Sequence, residues 1–329
     1  MLKIIKIIRS NEWWEYKFPP IFSVGYLIIL KNGGTAKHLF PVFSVVLLAL
    51  ITGAAYVSIL NDATDVDDDA RARKNNNMAD FNSIQKTLFV IFPLFVGLCF
   101  LLIFFKNSIL VSTLYLLSYI CFTLYSLPPF RLKKRGFAGV LADAAGSQLF
   151  PTLFLTAYIY NQINVSVNLG QFAATGIWSF CFGIRGILWH QFKDKNNDTL
   201  SGIKTPVQVI TPGQFKIGAV GIMIVEMLSF TWMILSFDFP WVIFSLALYV
   251  IYVLLLYKRW HINLIIIQPI ATPYRIFMNE YYQVFLPLHV LISVIILSPD
   301  FIFLLFLQLI LFPRNIFRIS KEFLALICY

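Results

Sequence analysis

Apolar runs close to 20 residues long recur along this sequence, and no other feature restricts its fold as much. Each is near the length that carries a helix across a hydrocarbon core about 30 Å thick. Eight such runs are Tyr16–Leu30, Leu39–Leu60, Lys86–Phe105, Asn107–Ser126, Ala138–Tyr160, Leu169–Gln191, Gln214–Ser236 and Phe239–Tyr257. A further stretch, Val284–Phe312, is interrupted at Ser298-Pro299-Asp300, and proline disrupts helix continuity. It reads either as one kinked span or as two short ones. Charged residues make up 13% of the chain, about half the usual share of a soluble domain. The chain therefore reads as a polytopic membrane protein, a single domain over residues 1–329.

The basic residues set the expected topology. They collect at the N-terminus (Lys3, Lys6, Arg9, Lys17) and after the second, fourth, sixth and eighth runs, whereas the alternate loops hold Lys31, Lys37 and Lys106. Positive charge concentrates on the cytoplasmic side, so the N-terminus and every even-numbered exit are expected there. Arg314, Arg318 and Lys321 fall outside after nine spans, or inside if the Pro299 break makes a hairpin. The opening segment, basic and bearing Trp13 and Trp14, lacks a signal peptide's apolar region and cleavage site. It is expected to lie on an anionic leaflet. The four cysteines, Cys99, Cys121, Cys181 and Cys328, have no paired spacing and support neither zinc nor a disulfide framework. The positive charge lies in loops between spans rather than on a soluble face, which argues against nucleic acid.

Against this background the stretch Asn61–Asn77, "NDATDVDDDARARKNNN", stands out, with five aspartates just beyond an apolar run. At about 100° per residue, Asn61, Asp62, Asp65 and Asp69 share one helical face, Asp68 lies beside it and Asp67 points elsewhere. Like charges on one face repel, so something positive must offset them. Mg²⁺ takes oxygen ligands and is usually held by one or two carboxylates plus substrate phosphates. The sixth run ends "RGILWHQFKDKNND", and a continued helix places His190, Gln191, Asp194 and Asp198 together. Two acidic clusters at cytoplasmic mouths suit a metal-bound diphosphate better than two solvated loops. Between them "YSLPPFRLKKRG" supplies Tyr125, a Pro-Pro turn and Arg131, Lys133, Lys134 and Arg135. This is ordinary loop punctuation, and it is also the charge a diphosphate needs.

The pattern resembles the UbiA-type superfamily of intramembrane prenyltransferases. Asn61, Asp62, Asp65 and Asp69 match its NDxxDxxxD motif, Asp194 and Asp198 its DxxxD motif after the sixth span, and Tyr125 with Arg131, Lys133, Lys134 and Arg135 its tyrosine–proline–basic loop. The resemblance implies an all-α bundle of about nine transmembrane helices around a central cavity open to lipid. It implies Mg²⁺ held by Asn61, Asp62, Asp65, Asp69, Asp194 and Asp198, and a diphosphate gripped by the basic loop. Asp65 and Asp194 are then catalytic, and His190 is a candidate general base. Aromatic faces would stabilise an allylic cation.

Other residues depart from the family pattern. Asp143, with Ser147 one turn on, stands where many members carry Asn, and Arg185 is an intramembrane charge. Such groups are expensive in lipid, and both are expected to line the cavity; the alternative is an ion pair with each other or with Glu226. "NEYYQ" at Asn279–Gln283 is expected to form an interfacial belt. The expected activity is Mg²⁺-dependent transfer of a prenyl group from a polyprenyl diphosphate to a membrane-accessible acceptor. Two alternatives keep the same site: a terpene cyclase without acceptor, and a phosphoribosyl-type transferase acting on a polyprenyl phosphate. A transporter is disfavoured because no internal repeat is evident. High Ile, Phe, Lys and Asn content suggests a bacterial cytoplasmic membrane.

Overall fold

The computed structural model describes residues 6–200 and 205–327. Helix α1 spans Ser10–Asn32, α2 Ala36–Arg71, α3 Ser83–Phe100 and α4 Ile109–Ser126. A π-helical stretch, Ala145–Leu149, joins α5 (Phe137–Ala144) and α6 (Phe150–Gln162) into one rod. Then come α7 (Leu169–Leu200), the short α8 (Pro206–Val209), α9 (Pro212–Ser236) and α10 (Val242–Trp260). Strands β1 (Asn263–Ile265) and β2 (Tyr274–Ile276) pair in parallel with Leu264 opposite Arg275. The chain ends in α11 (Leu286–Leu297), α12 (Ile302–Leu311) and α13 (Pro313–Ile327). Among the described residues six helices are long and apolar enough to cross a membrane. This is a multi-pass helical membrane protein.

Helix length positions the acidic motifs. At about 1.5 Å per residue, the 36 residues of α2 reach well beyond a bilayer core, and so do the 32 residues of α7. Each helix begins where its apolar run does and carries its polar end out of the membrane without a break. Asn61–Asp69 and His190–Asp194 therefore project on rigid rods rather than on loops, at one end of the bundle, here called the acidic end. Close packing holds α5 against α7: a Cβ on Gly183 would stand 3.0 Å from the Ala144 backbone.

The interrupted run Val284–Phe312 is a hairpin. Phe303 packs on Phe40 at the far end, with ring centroids 5.3 Å apart. Gln308 Oε1 accepts from the Tyr26 hydroxyl of α1 at 3.0 Å, and Leu311 O accepts from Trp14 Nε1 at the acidic end. The rod then bends by 84° into α13. Glu15 caps α13 by accepting from the backbone N–H of Arg314 at 2.8 Å and of Asn315 at 2.7 Å, which satisfies donors that a helix start leaves unpaired. Arg314, Arg318 and Lys321 thus lie at the acidic end with the other basic loops.

Three expectations change here. Trp13 is buried within the first turns of α1 instead of resting on a leaflet, and Trp14 packs at a tilt against Phe312, ring centroids 5.7 Å apart. Glu280, Tyr281, Tyr282 and Gln283 are all buried, so this segment is core and not an interfacial belt. Arg185 is 1% exposed and makes a two-pronged pair with Glu226 instead of lining the acidic cavity, Nε to Oε2 at 2.6 Å and Nη2 to Oε1 at 2.7 Å. Its remaining nitrogen donates to the carbonyls of Ile266 at 3.3 Å and Phe277 at 3.0 Å. Ile266 and Phe277 directly follow β1 and β2, so Arg185 also fastens that segment to the helices. Cys99, Cys121 and Cys181 are free.

Candidate active site

The acidic end holds an open polar cavity, with about 1610 Å³ of empty space when its solvent-facing mouth is included. The last turns of α2 present Asn61, Asp62, Asp65, Asp68 and Asp69 to it, and α7 presents His190, Gln191 and Asp194. Asp67 is exposed on the outer side, as the helical spacing requires. The two motifs, more than 100 residues apart in sequence, thus face one space. The side chain of Asp198 lies outside the described residues. Asp143 lines the same cavity from α5 and accepts from Ser147 at 3.5 Å.

Every motif carboxylate described has a partner. Asp62 accepts from Arg9 at 3.2 Å and from Asn77 at 3.0 Å. Asp69 accepts from Asn76 at 2.7 Å, and Asp194 pairs with Lys74 at 3.3 Å. Asp65 accepts from Arg131 at 3.0 Å and from Lys133. Asn61 accepts from Ser126, which fixes the start of the motif to α4. Of the basic loop, Lys133 and Tyr125 line the cavity, while Arg135 turns back to the Pro129 carbonyl at 2.8 Å. Gly139 allows this close seat, since a Cβ there would meet Leu132 O at 2.7 Å. Burial holds the Lys133 ammonium below the usual lysine range, with Asp65 partly offsetting that cost.

A second, apolar cavity, with about 670 Å³ of empty space including its open mouth, runs inward from the first, between α1, α2, α4 and the α5–α6 rod. Aromatic side chains dominate its wall: Phe18, Tyr56, Tyr115, Tyr119, Phe122 and Phe154. Hydroxyl pairs tie the tyrosines down, Tyr115 to Tyr119 at 3.0 Å and Tyr56 to Thr123 at 2.7 Å. Trp13, Lys17, Val57, Ser58 and Phe122 line both cavities and mark where they meet.

Residues 19–280 match the profile of the UbiA prenyltransferase family. The chain belongs to that family. As a UbiA-family protein it is a membrane transferase, and solved structures share its fold. A UbiA homologue from Archaeoglobus fulgidus bound to Cd²⁺ superposes with a TM-score of 0.60 at 14% identity, covering 90% of this chain and 99% of the other. The same protein bound to DMAPP and Mg²⁺ gives 0.58 at 14% identity, covering 89% and 99%. A digeranylgeranylglyceryl phosphate synthase gives 0.54 at 16% identity, covering 92% and 96%. No curated protein matches the sequence.

The family match begins after the residues that the sequence reading missed. Arg9, Glu12, Trp13 and Lys17 all line the polar cavity from the start of α1. A signal was present, since Arg9, Trp13 and Lys17 recur at intervals of four, one helical face. The asparagines after α2 were likewise missed, because a loop's partners are set by where the chain folds back.

Proposed function

We propose that this protein ionises a polyprenyl diphosphate in its acidic cavity, with Mg²⁺, and transfers the prenyl group to a membrane-accessible acceptor. The observation that carries this reading is the joining of the two cavities, one acidic and polar, the other aromatic and apolar. A prenyl diphosphate has those two halves, and its C1–O bond would lie where they meet.

Among the described residues no group of three or more His, Cys, Asp or Glu converges on one point. Mg²⁺ does not require one, because water and substrate phosphate complete its shell. The oxygen-only donor set on facing helices, Asn61, Asp62, Asp65 and Asp69 against Asp194, fits that chemistry, and Asp198 belongs to the same proposal. When bound, Mg²⁺ supplies charge neutralisation of the leaving diphosphate. Related structures bound to DMAPP or GPP with Mg²⁺ support the assignment.

The protein's own residues do the remaining work. Lys133, with Tyr125 beside it, holds the diphosphate, and Arg131, Lys134 and Arg135 add positive potential around the loop. The C1–O bond breaks with its electron pair leaving on the diphosphate. The Trp13 and Phe122 faces at the junction stabilise the allylic cation, and the acceptor's nucleophile then bonds to C1. His190 on the cavity wall takes the proton that the acceptor gives up.

The test is incubation with Mg²⁺ and, separately, farnesyl, geranylgeranyl and phosphoribosyl diphosphates, with and without a lipid extract. Diphosphate release from a prenyl donor, with prenylated product formed only when lipid is added, is the expected result. Cyclic products without acceptor would make it a cyclase, and consumption of the phosphoribosyl donor would reverse the roles of the two substrates.

Lys133 also gives a pH dependence. Its ammonium must be charged to hold a diphosphate, so activity falls as pH rises through its depressed pKa. Lys133→Arg stays charged throughout, and its alkaline limb moves to higher pH in a pH–rate profile.

A further inference from the structure

The family motif on α2 leaves one buried aspartate without a role. Asp68 is 3% exposed, yet it stands beside the face formed by Asn61, Asp62, Asp65 and Asp69. Three cations surround it. Oδ1 accepts from Arg71, while Oδ2 takes Arg131 at 2.9 Å and Lys134 at 2.6 Å. Both oxygens of this carboxylate are already engaged by cations of the protein itself. Two of the three cations belong to the basic loop that follows α4.

Arg131 goes further and ties the loop to α2 at several points. Its Nη2 also donates to the Thr64 carbonyl at 2.8 Å and to Asp65 at 3.0 Å. Lys133, between Arg131 and Lys134 in sequence, is thereby held over Asp65 and the cavity, where it is buried. Asp67, one residue earlier, is exposed and makes no such contact.

We propose that Asp68 is a positioning residue: it fastens the basic loop to the acid-bearing helix so that Lys133 is presented to the cavity, and it takes no metal. The functional half of this inference rests on the diphosphate reading above; the structural half does not. Charge-assisted hydrogen bonds are the strong ones. Removing one partner of a buried cluster leaves its cations without a counter-charge.

The experiment compares Asp68→Asn, Asp68→Glu and Asp67→Asn as full-length protein in lipid nanodiscs. The first readout is limited trypsin cleavage after Arg131, Lys133, Lys134 and Arg135. Loss of two charge-assisted bonds speeds cleavage of Asp68→Asn on the order of tenfold; Asp67→Asn cleaves like the wild type and Asp68→Glu largely restores protection. The second readout is kinetic. Asp68→Asn raises KM for the prenyl diphosphate about tenfold with little change in kcat, and the Mg²⁺ concentration for half-activation stays put.

Unchanged cleavage in Asp68→Asn overturns the proposal. A shifted Mg²⁺ midpoint with collapsed kcat overturns it too, because that is the signature of a metal ligand. If Asp68→Asn does not fold, the double variant Arg131→Gln/Lys134→Gln removes the same tether from the other side, and wild-type protection at its two remaining sites, Lys133 and Arg135, is equally fatal. Cleavage needs no substrate, so failure of the diphosphate reading would show separately, as a wild-type protein that releases no diphosphate.

Discussion

Asp65→Ala and Asp194→Ala lower prenyl diphosphate turnover by at least about 10²-fold, the scale expected when a group that stabilises transition-state charge is removed. Both variants remain folded and membrane-inserted. The two differ in stability, which separates a chemical role from a structural one. The Asp194 side chain is 49% exposed and its partner Lys74 is 35% exposed, so this pair contributes little to folding. Asp194→Ala therefore melts like the wild type. Asp65 is the counter-charge of buried Lys133, and its loss leaves that lysine unpaired, so Asp65→Ala melts at a lower temperature. Turnover measured beside thermal melts checks both statements. Full activity in both variants would remove the acidic cavity as the site of ionisation.

The largest expected effect on stability lies elsewhere. Glu226→Ala destabilises the protein by about 3–5 kcal/mol, the usual cost of breaking a buried ion pair from one side. Arg185 and Glu226 side chains are 1% and 0% exposed. An unpartnered guanidinium at 1% exposure is shut off from bulk solvent, and Tyr282 and Trp178 pack together nearby. Removing both charges, as Arg185→Met with Glu226→Leu, is less harmful than removing one. It does not restore the wild-type melt, because the Ile266 and Phe277 carbonyls lose the donor that Arg185 supplies. Thermal melts of the single and double variants in detergent measure this directly. A silent Glu226→Ala would mean that the pair is not what seats the β1–β2 segment.

These two expectations come from opposite kinds of information. The acidic face was legible because it depends on local geometry. Asn61, Asp62, Asp65 and Asp69 share a side at any place where α2 is a helix, and the hydropathy of the preceding run fixes that the helix emerges there. The spans follow for the same reason: a stretch of about 20 apolar residues has few alternatives in lipid. The break at Pro299 was equally visible, though its outcome was not. A proline ends a helix whichever way the chain then turns, and contacts with α1 decided for a hairpin.

Charges were harder to place. Arg185, read as cavity-facing, found Glu226 across the helix interface, 41 residues away. Asp143, read the same way, does line the cavity. The apolar character of their surroundings is alike in sequence, so nothing local separates the two cases. The Asn279–Gln283 segment looked interfacial from its mixture of polar and aromatic residues. It became core because Glu280 meets Arg275 at 3.0 Å and Arg318 at 3.1 Å, cations from β2 and from α13.

By itself, then, the sequence determined a membrane-spanning helical protein with acidic and basic motifs at helix exits, and the family those motifs belong to. Tertiary structure alone decided which charges work and which only hold the protein together. It brought Arg9, Trp13 and Lys17 to the cavity, joined an aromatic cavity to an acidic one, and tethered Asp68 to the basic loop. The physical reason is range. Helical periodicity and bilayer partition act within a turn or a membrane thickness, whereas a buried charge is settled by whichever helix lies across from it, as Glu15 and the Asn315 backbone meet across 300 residues of chain.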